Sequence, residues 1–159
     1  MGPYLRNNYL HRTIREQGGA YGGGASYDSS SCAFRFYSYR DPRLAETYDD
    51  FAASVTWLLN TPQDDIWLEE AILNVIAGVD KPGSPAGEAV KVCFATLHER
   101  TPQWQQQLRA SLLTVTLADL QRVAQQYLQD QPAIRASVAP FDQIEALQAL
   151  GFVIEKMPS

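Results

Sequence analysis

The chain is poor in the residues that build covalent or metal frameworks. It holds two cysteines, Cys32 and Cys93, far apart in 159 residues, so no disulfide framework and no CxxC zinc knuckle can be drawn. Of the two histidines, His11 and His98, neither lies in HExxH or HxxEH spacing. A catalytic zinc needs three or more converging N, O or S ligands, so no metal ligand is assigned to this chain. Long apolar runs are also lacking: Ala71 to Val79 is the longest, too short to span a bilayer. The start, Met1-Gly2-Pro3-Tyr4, has neither the basic nor the apolar region of a signal peptide, and Arg6 breaks the myristoylation pattern. Clustered Lys and Arg are missing and the net charge is −5, which argues against nucleic acid as a partner. No membrane partner is expected. The cysteine usage fits a reducing compartment, either cytoplasm or, in a eukaryote, an organellar matrix.

What is present is the balance of an ordinary globular protein, 45% apolar and 19% charged, in a length that suits one domain over residues 1–159. Leu5 to Gln17 reads as a helix with Leu5, Tyr9, Leu10 and Ile14 on one stripe, stopped by Gly18 and Gly19. A strand near Ala25–Asp28, a serine turn, and the alternation of Cys32, Phe34 and Phe36 against Arg35, Tyr37 and Tyr39 predict a β-hairpin. Helical periods follow: Leu44 to Leu58 with Asp41 as N-cap, Pro62 to Val79, Ala86 to Glu99, and one after Thr101-Pro102. Thr116 and Asp119 resemble a capping box for the helix carrying Leu120 and Ala124. Ile134–Val138 alternates as a strand, Asp142–Leu150 reads as a short helix, and Phe152–Glu155 as a last strand. This order predicts an α+β domain with helices packed on a mainly antiparallel sheet. So few strands are thin cover for so many helices, and the strands to complete the sheet would come before Leu5.

The glycines from Gly18 to Gly24 follow a helix and precede a strand, the reverse of the order that binds phosphate at a helix N-terminus. They match neither GxxxxGK[ST] nor a dinucleotide fingerprint. Two readings stay open from the residues alone: a helix stop with a tight turn, or a place where a ligand backbone comes close.

The longer run Tyr9-Leu10-His11-Arg12-Thr13-Ile14-Arg15-Glu16-Gln17-Gly18-Gly19-Ala20-Tyr21-Gly22-Gly23-Gly24-Ala25, followed by Phe36-Tyr37-Ser38-Tyr39-Arg40-Asp41-Pro42, resembles the C-terminal half of pitrilysin-type (insulin-degrading, inverted HxxEH) zinc metallopeptidases, in their presequence-degrading branch. In that family two homologous halves close around an unstructured peptide. The zinc sits in the N-terminal half, and an arginine and a tyrosine six residues apart reach across from the C-terminal half. The resemblance implies that Arg15 orients a substrate carbonyl through its fork of donors. It implies that Tyr21 donates its phenol O–H to the developing oxyanion. Gly19, Gly22 and Gly23 would leave room for the peptide, and Tyr37 and Tyr39 would line its chamber. The partners implied are the zinc-bearing half and an unstructured peptide, with no cofactor bound by this chain. Without that half the chain is expected to be inactive.

Plainer readings stand beside these. An arginine in a last helical turn suits the macrodipole, a tyrosine between glycines can simply pack, and Arg40-Asp41-Pro42 reads as structural. His11 reads as a helix-packing or interface residue. Two alternatives to a peptidase fragment are a non-catalytic structural subunit, a role this fold has in some relatives of the family the chain resembles, and a free-standing peptide-binding module. A truncated sheet would leave an edge through which the chain could dimerise.

Overall fold

The computed structural model describes residues 1–29 and 31–156. The chain forms two compact units, Met1–Gln129 and the residues from Asp130 onward. The fold is α+β.

In the first unit, a short helix α1 (Gly2–Leu5) runs directly into a π-helix over Arg6–Gln17. The apolar residues explain the winding. Tyr4, Tyr9 and Ile14 are spaced by five, as are Leu5 and Leu10. In an α-helix residues five apart diverge by about 140° around the axis. An i→i+5 ladder stacks them instead. Tyr4, Leu5, Leu10 and Ile14 are fully buried and Tyr9 packs half-buried against them, so the expected stripe of Leu5, Tyr9, Leu10 and Ile14 lies on the core side but with a different period.

Two antiparallel strands follow, β1 (Gly22–Asp28) and β2 (Ala33–Tyr39), paired from Gly22↔Tyr39 to Asp28↔Ala33. Ala25, Phe34 and Phe36 face the core, and Phe36 stacks on Phe51 with centroids 5.3 Å apart. Tyr37 and Tyr39 stand on the opposite face, across from Gly24 and Gly22. Cys32, expected on the Phe34 face, lies in the turn before β2 with a positive φ of 52°.

Helices α2 (Ala45–Asn60), α3 (Asp65–Asp80), α4 (Pro85–Leu97), α5 (Pro102–Leu113) and α6 (Leu117–Tyr127) complete the unit. Val55 and Leu58 of α2, Leu68 and Ala71 of α3, and Leu120 and Ala124 of α6 join the core. The aromatic layer runs from Tyr9 to Trp57 to Trp67, with centroids 5.4 and 6.1 Å apart. By contrast, α4 and α5 bury no residue. The Thr116–Asp119 capping box forms as read, both reciprocal bonds being made. Asp41 does not cap α2. Its carboxylate accepts from Arg43 N at 3.0 Å and Thr47 Oγ1 at 2.7 Å, closing a turn before the helix, which starts at Ala45. Arg43 then ties two elements together: Nη2 donates to the Thr13 carbonyl at 3.3 Å and to Asp50 Oδ2 at 2.9 Å. Likewise α3 starts not at Pro62 but after Asp64, which accepts from Ile66 N at 2.9 Å.

In the second unit a 3-10 turn (Phe141–Gln143) leads into α7 (Ile144–Ala149), which buries Leu147. Gly151, with φ +81°, follows the helix end in the left-handed conformation typical of such stops. Arg135 Nη2 donates to the Leu150 carbonyl at 2.9 Å, and its guanidinium lies 5.1 Å from the Phe152 ring centroid. Ile134–Val138 and Phe152–Glu155, expected as strands, form none. Alternation chooses which side chains share a face, but it does not by itself make a strand, which also depends on a second segment.

The approach of the π-helix to β1 is close enough to test. A Cβ on Gly23 would sit 2.8 Å from Ile14 Cγ2, a branched methyl with little rotamer freedom in a helix. A Cβ on Gly22 would meet nothing within 4 Å. Gly23→Ala is therefore expected to cost about 1–3 kcal/mol in urea unfolding. Gly22→Ala should stay within about 0.5 kcal/mol of the parent. Equal midpoint shifts for the two would contradict this packing.

Burial, with Asp64 and Asp65 nearby, pushes the Tyr4 phenol up from its ordinary 10.0 to about 12. Its hydroxyl donates to Gln63 Oε1 at 2.8 Å. The unfolded chain ionises this tyrosine first, so the stability it contributes is complete below pH 10 and is lost as pH rises toward about 12. Urea midpoints at pH 9 and pH 11 should fall further for the parent than for Tyr4→Phe. Parallel falls would show that Tyr4 does not carry the effect.

Candidate functional site

The stretch from Arg15 to Tyr21 is fixed through its backbone. The carbonyl of Arg15 accepts from both Gly18 N and Gly19 N, and the carbonyl of Ile14 accepts from Ala20 N at 3.1 Å. Tyr21 N donates across to the Arg40 carbonyl at 3.3 Å, just before β1 begins pairing with β2. Gly19 makes the turn possible, because its φ of +80° would strain any residue with a Cβ. Arg15 thus closes the helix and Tyr21 leads into the strand, with every amide from Gly18 to Tyr21 hydrogen-bonded.

Arg15 lies in the last helical turn, where the C-terminal dipole favours a cation. Its Nη1 stands 3.3 Å from His11 Nε2, and His11 Nδ1 stands 3.3 Å from Glu16 Oε1. A guanidinium can only donate, so the contact is a hydrogen bond in the tautomer whose Nε2 accepts and whose Nδ1–H faces the Glu16 carboxylate. The His11–Glu16 contact spans five residues and depends on the π winding. Among the described residues, no group of three or more His, Cys, Asp or Glu is placed to hold a metal.

The tyrosines cluster in front of the loop. Tyr21, 68% exposed, meets Tyr39 edge-on, with centroids 6.0 Å apart and planes at 83°. Tyr37 is on the same sheet face as Tyr39, two residues along, and its hydroxyl overhangs Gly24. Of the glycines singled out, Gly22 opens to empty space, Gly19 turns the chain beneath Pro42, and Gly23 is taken up by Ile14. Two residues left outside the site by sequence reasoning stand in it. His11 could have been found from its four- and five-residue spacing to Arg15 and Glu16. Arg40, whose carbonyl holds Tyr21, carries no comparable signal.

With this geometry in view, comparison with known proteins is informative. Residues 1–133 match the family described as the PreP C-terminal domain. The chain is 39% identical over 141 residues to "Presequence protease, mitochondrial" of Saccharomyces cerevisiae, covering 88% of this chain and 14% of that protein. The protein of the same name from Kluyveromyces lactis is 39% identical over 140 residues, 86% of this chain and 14% of its own length. That of Xenopus tropicalis is 38% identical over 125 residues, 76% of this chain and 11% of its own. The matched segment includes the helix, the glycine loop and the hairpin, and the chain belongs to the PreP C-terminal domain family.

Proposed function

We propose that this chain is the substrate-binding C-terminal part of a zinc-dependent endopeptidase that degrades unstructured peptides. The observation that carries the reading is the tethered loop, which presents an exposed arginine and an exposed tyrosine six residues apart within a presequence-protease family match. The chain spans about a seventh of the length of the relatives it matches, so the remaining machinery is assigned to a partner, the zinc-bearing N-terminal half. The relatives' name places those proteins in mitochondria, which supports an organellar location for this chain if it comes from a eukaryote.

On this reading Arg15 binds the peptide before chemistry begins. Its guanidinium has donors left over from His11 and can grip a substrate carbonyl in a fixed orientation. Tyr21 donates its hydroxyl proton in a hydrogen bond to the carbonyl oxygen as negative charge gathers there. Because the loop is already ordered, that donor needs no reorganisation at the moment of reaction. Gly22, facing open space, lets the peptide backbone approach, with Gly19 and Gly23 shaping the floor. Tyr37 and Tyr39 supply flat walls with polar tips. Each strand of the hairpin is paired on one side only among the described residues, leaving edges that can add a peptide as a further strand. The same edge would let two copies of the isolated chain pair, and size-exclusion chromatography should show a concentration-dependent dimer. A constant monomer would remove that part of the reading.

The test is cleavage of a quenched fluorescent peptide by the chain alone and mixed with the zinc-bearing half of a presequence protease. Cleavage is expected only in the mixture, falling about 10²- to 10³-fold in kcat with Tyr21→Phe. Arg15→Ala should lower kcat/KM as well. Cleavage by the chain alone, or a mixture indifferent to both substitutions, would overturn the proposal.

A further inference from the structure

Arg40 combines three features that occur together nowhere else in the described chain. Its backbone is left-handed, with φ 48°. Its carbonyl accepts the Tyr21 amide at 3.3 Å. Its guanidinium lies 5.8 Å from the ring centroid of Tyr21 and 5.4 Å from that of Tyr39. Cys32, Glu99 and Asp130 share the positive φ, so the backbone alone distinguishes nothing. What separates Arg40 is where its two ends go: main chain and side chain reach the same tyrosine.

We infer that Arg40 is a positioning residue, which clamps the exposed ring of Tyr21 from the side of β2 through its carbonyl and its guanidinium. An exposed tyrosine between Ala20 and Gly22 has few neighbours to select a rotamer, since neither adds bulk beside it. The edge-on contact with Tyr39 restrains one side of the ring, and a cation shared between both ring faces restrains the pair. The amide bond fixes the Cα from which the ring projects. A hydroxyl donor is useful only if it stands where charge develops, so holding the ring bears directly on how well Tyr21 can donate. The catalytic consequence rests on the role proposed for Tyr21; the clamp itself does not.

The left-handed backbone provides a clean separation of the two halves of the clamp. Arg40→Gly keeps the main-chain geometry and relieves strain, so the urea midpoint should hold or rise. Only the guanidinium is lost. In the 159-residue chain, proton NMR should place the Arg40 side-chain δ protons upfield of their random-coil position through ring currents. That shift should shrink in Tyr39→Leu. In the mixture with the zinc-bearing half, Arg40→Gly should lower kcat about fivefold with KM little changed, and Arg40→Lys should recover part of the loss. Unshifted Arg40 protons would overturn the clamp. A kcat loss in Tyr21→Phe without one in Arg40→Gly would overturn the inference and leave the role of Tyr21 standing. No loss in either would overturn both.

Discussion

The contact between Ile14 and Gly23 is the constraint on which the rest of the first unit depends. It brings a helix within a methyl's width of a strand, which only a residue without a side chain allows. The helix reaches that position because π winding turns Tyr4, Leu5, Leu10 and Ile14 all to one side, where they form the centre of the core. Were the winding α-helical, residues spaced by five would diverge and part of this set would face solvent. The hairpin needs this support, since two strands alone are marginal in water. Helix, strand and core are therefore one arrangement.

From that arrangement the site follows by short steps. The helix must end close to where the strand begins, so the connecting loop is short and its amides find partners on Arg15, Ile14 and Arg40. Strand alternation then assigns the faces. Phe34 and Phe36 go inward, Phe36 stacking on Phe51, which leaves Tyr37 and Tyr39 outward, opposite two glycines. Arg43 secures the same region from behind, joining the Thr13 carbonyl to Asp50 of α2. These tethers matter more to the site than any surface ion pair, because exposed pairs contribute only about 0–1 kcal/mol and are screened by salt.

Much of this was legible in the sequence, and the failures have physical causes. The hairpin faces were readable because alternation is a local property: every second residue shares a side whatever the rest of the chain does. Arg15 and Tyr21 were singled out by resemblance, not by spacing, and the structure adds the tethering of the loop between them. The helix stripe was recognised but assigned the usual period, although the five-residue spacing of Tyr4, Tyr9 and Ile14 was there to be read. Asp41 before Pro42 has the look of a cap, yet its carboxylate serves Arg43 N and Thr47. Ile134–Val138 and Phe152–Glu155 carry a strand pattern yet form no strand, because alternation is read from one segment while a strand is a property of two. The exposed apolar side chains at Ile134, Val138 and Val153 mark the same gap between pattern and pairing.

The backbone on either side of Tyr21 shows how different residues meet one geometric demand. Gly19, two residues before it, and Arg40, which holds its amide, both have positive φ. At Gly19 the conformation is free of steric cost, and nothing beyond a turn is required of the residue. At position 40 glycine would serve the backbone equally well, whereas arginine there costs about 1–2 kcal/mol. Two exposed cation–ring contacts return about 0.5–1 kcal/mol each, so strain and stacking come close to cancelling. Folding stability thus gives little reason for an arginine at this position. Its effect lies instead in the order it imposes on two exposed tyrosines, and order at that point has consequences only if something is to be bound or turned over there.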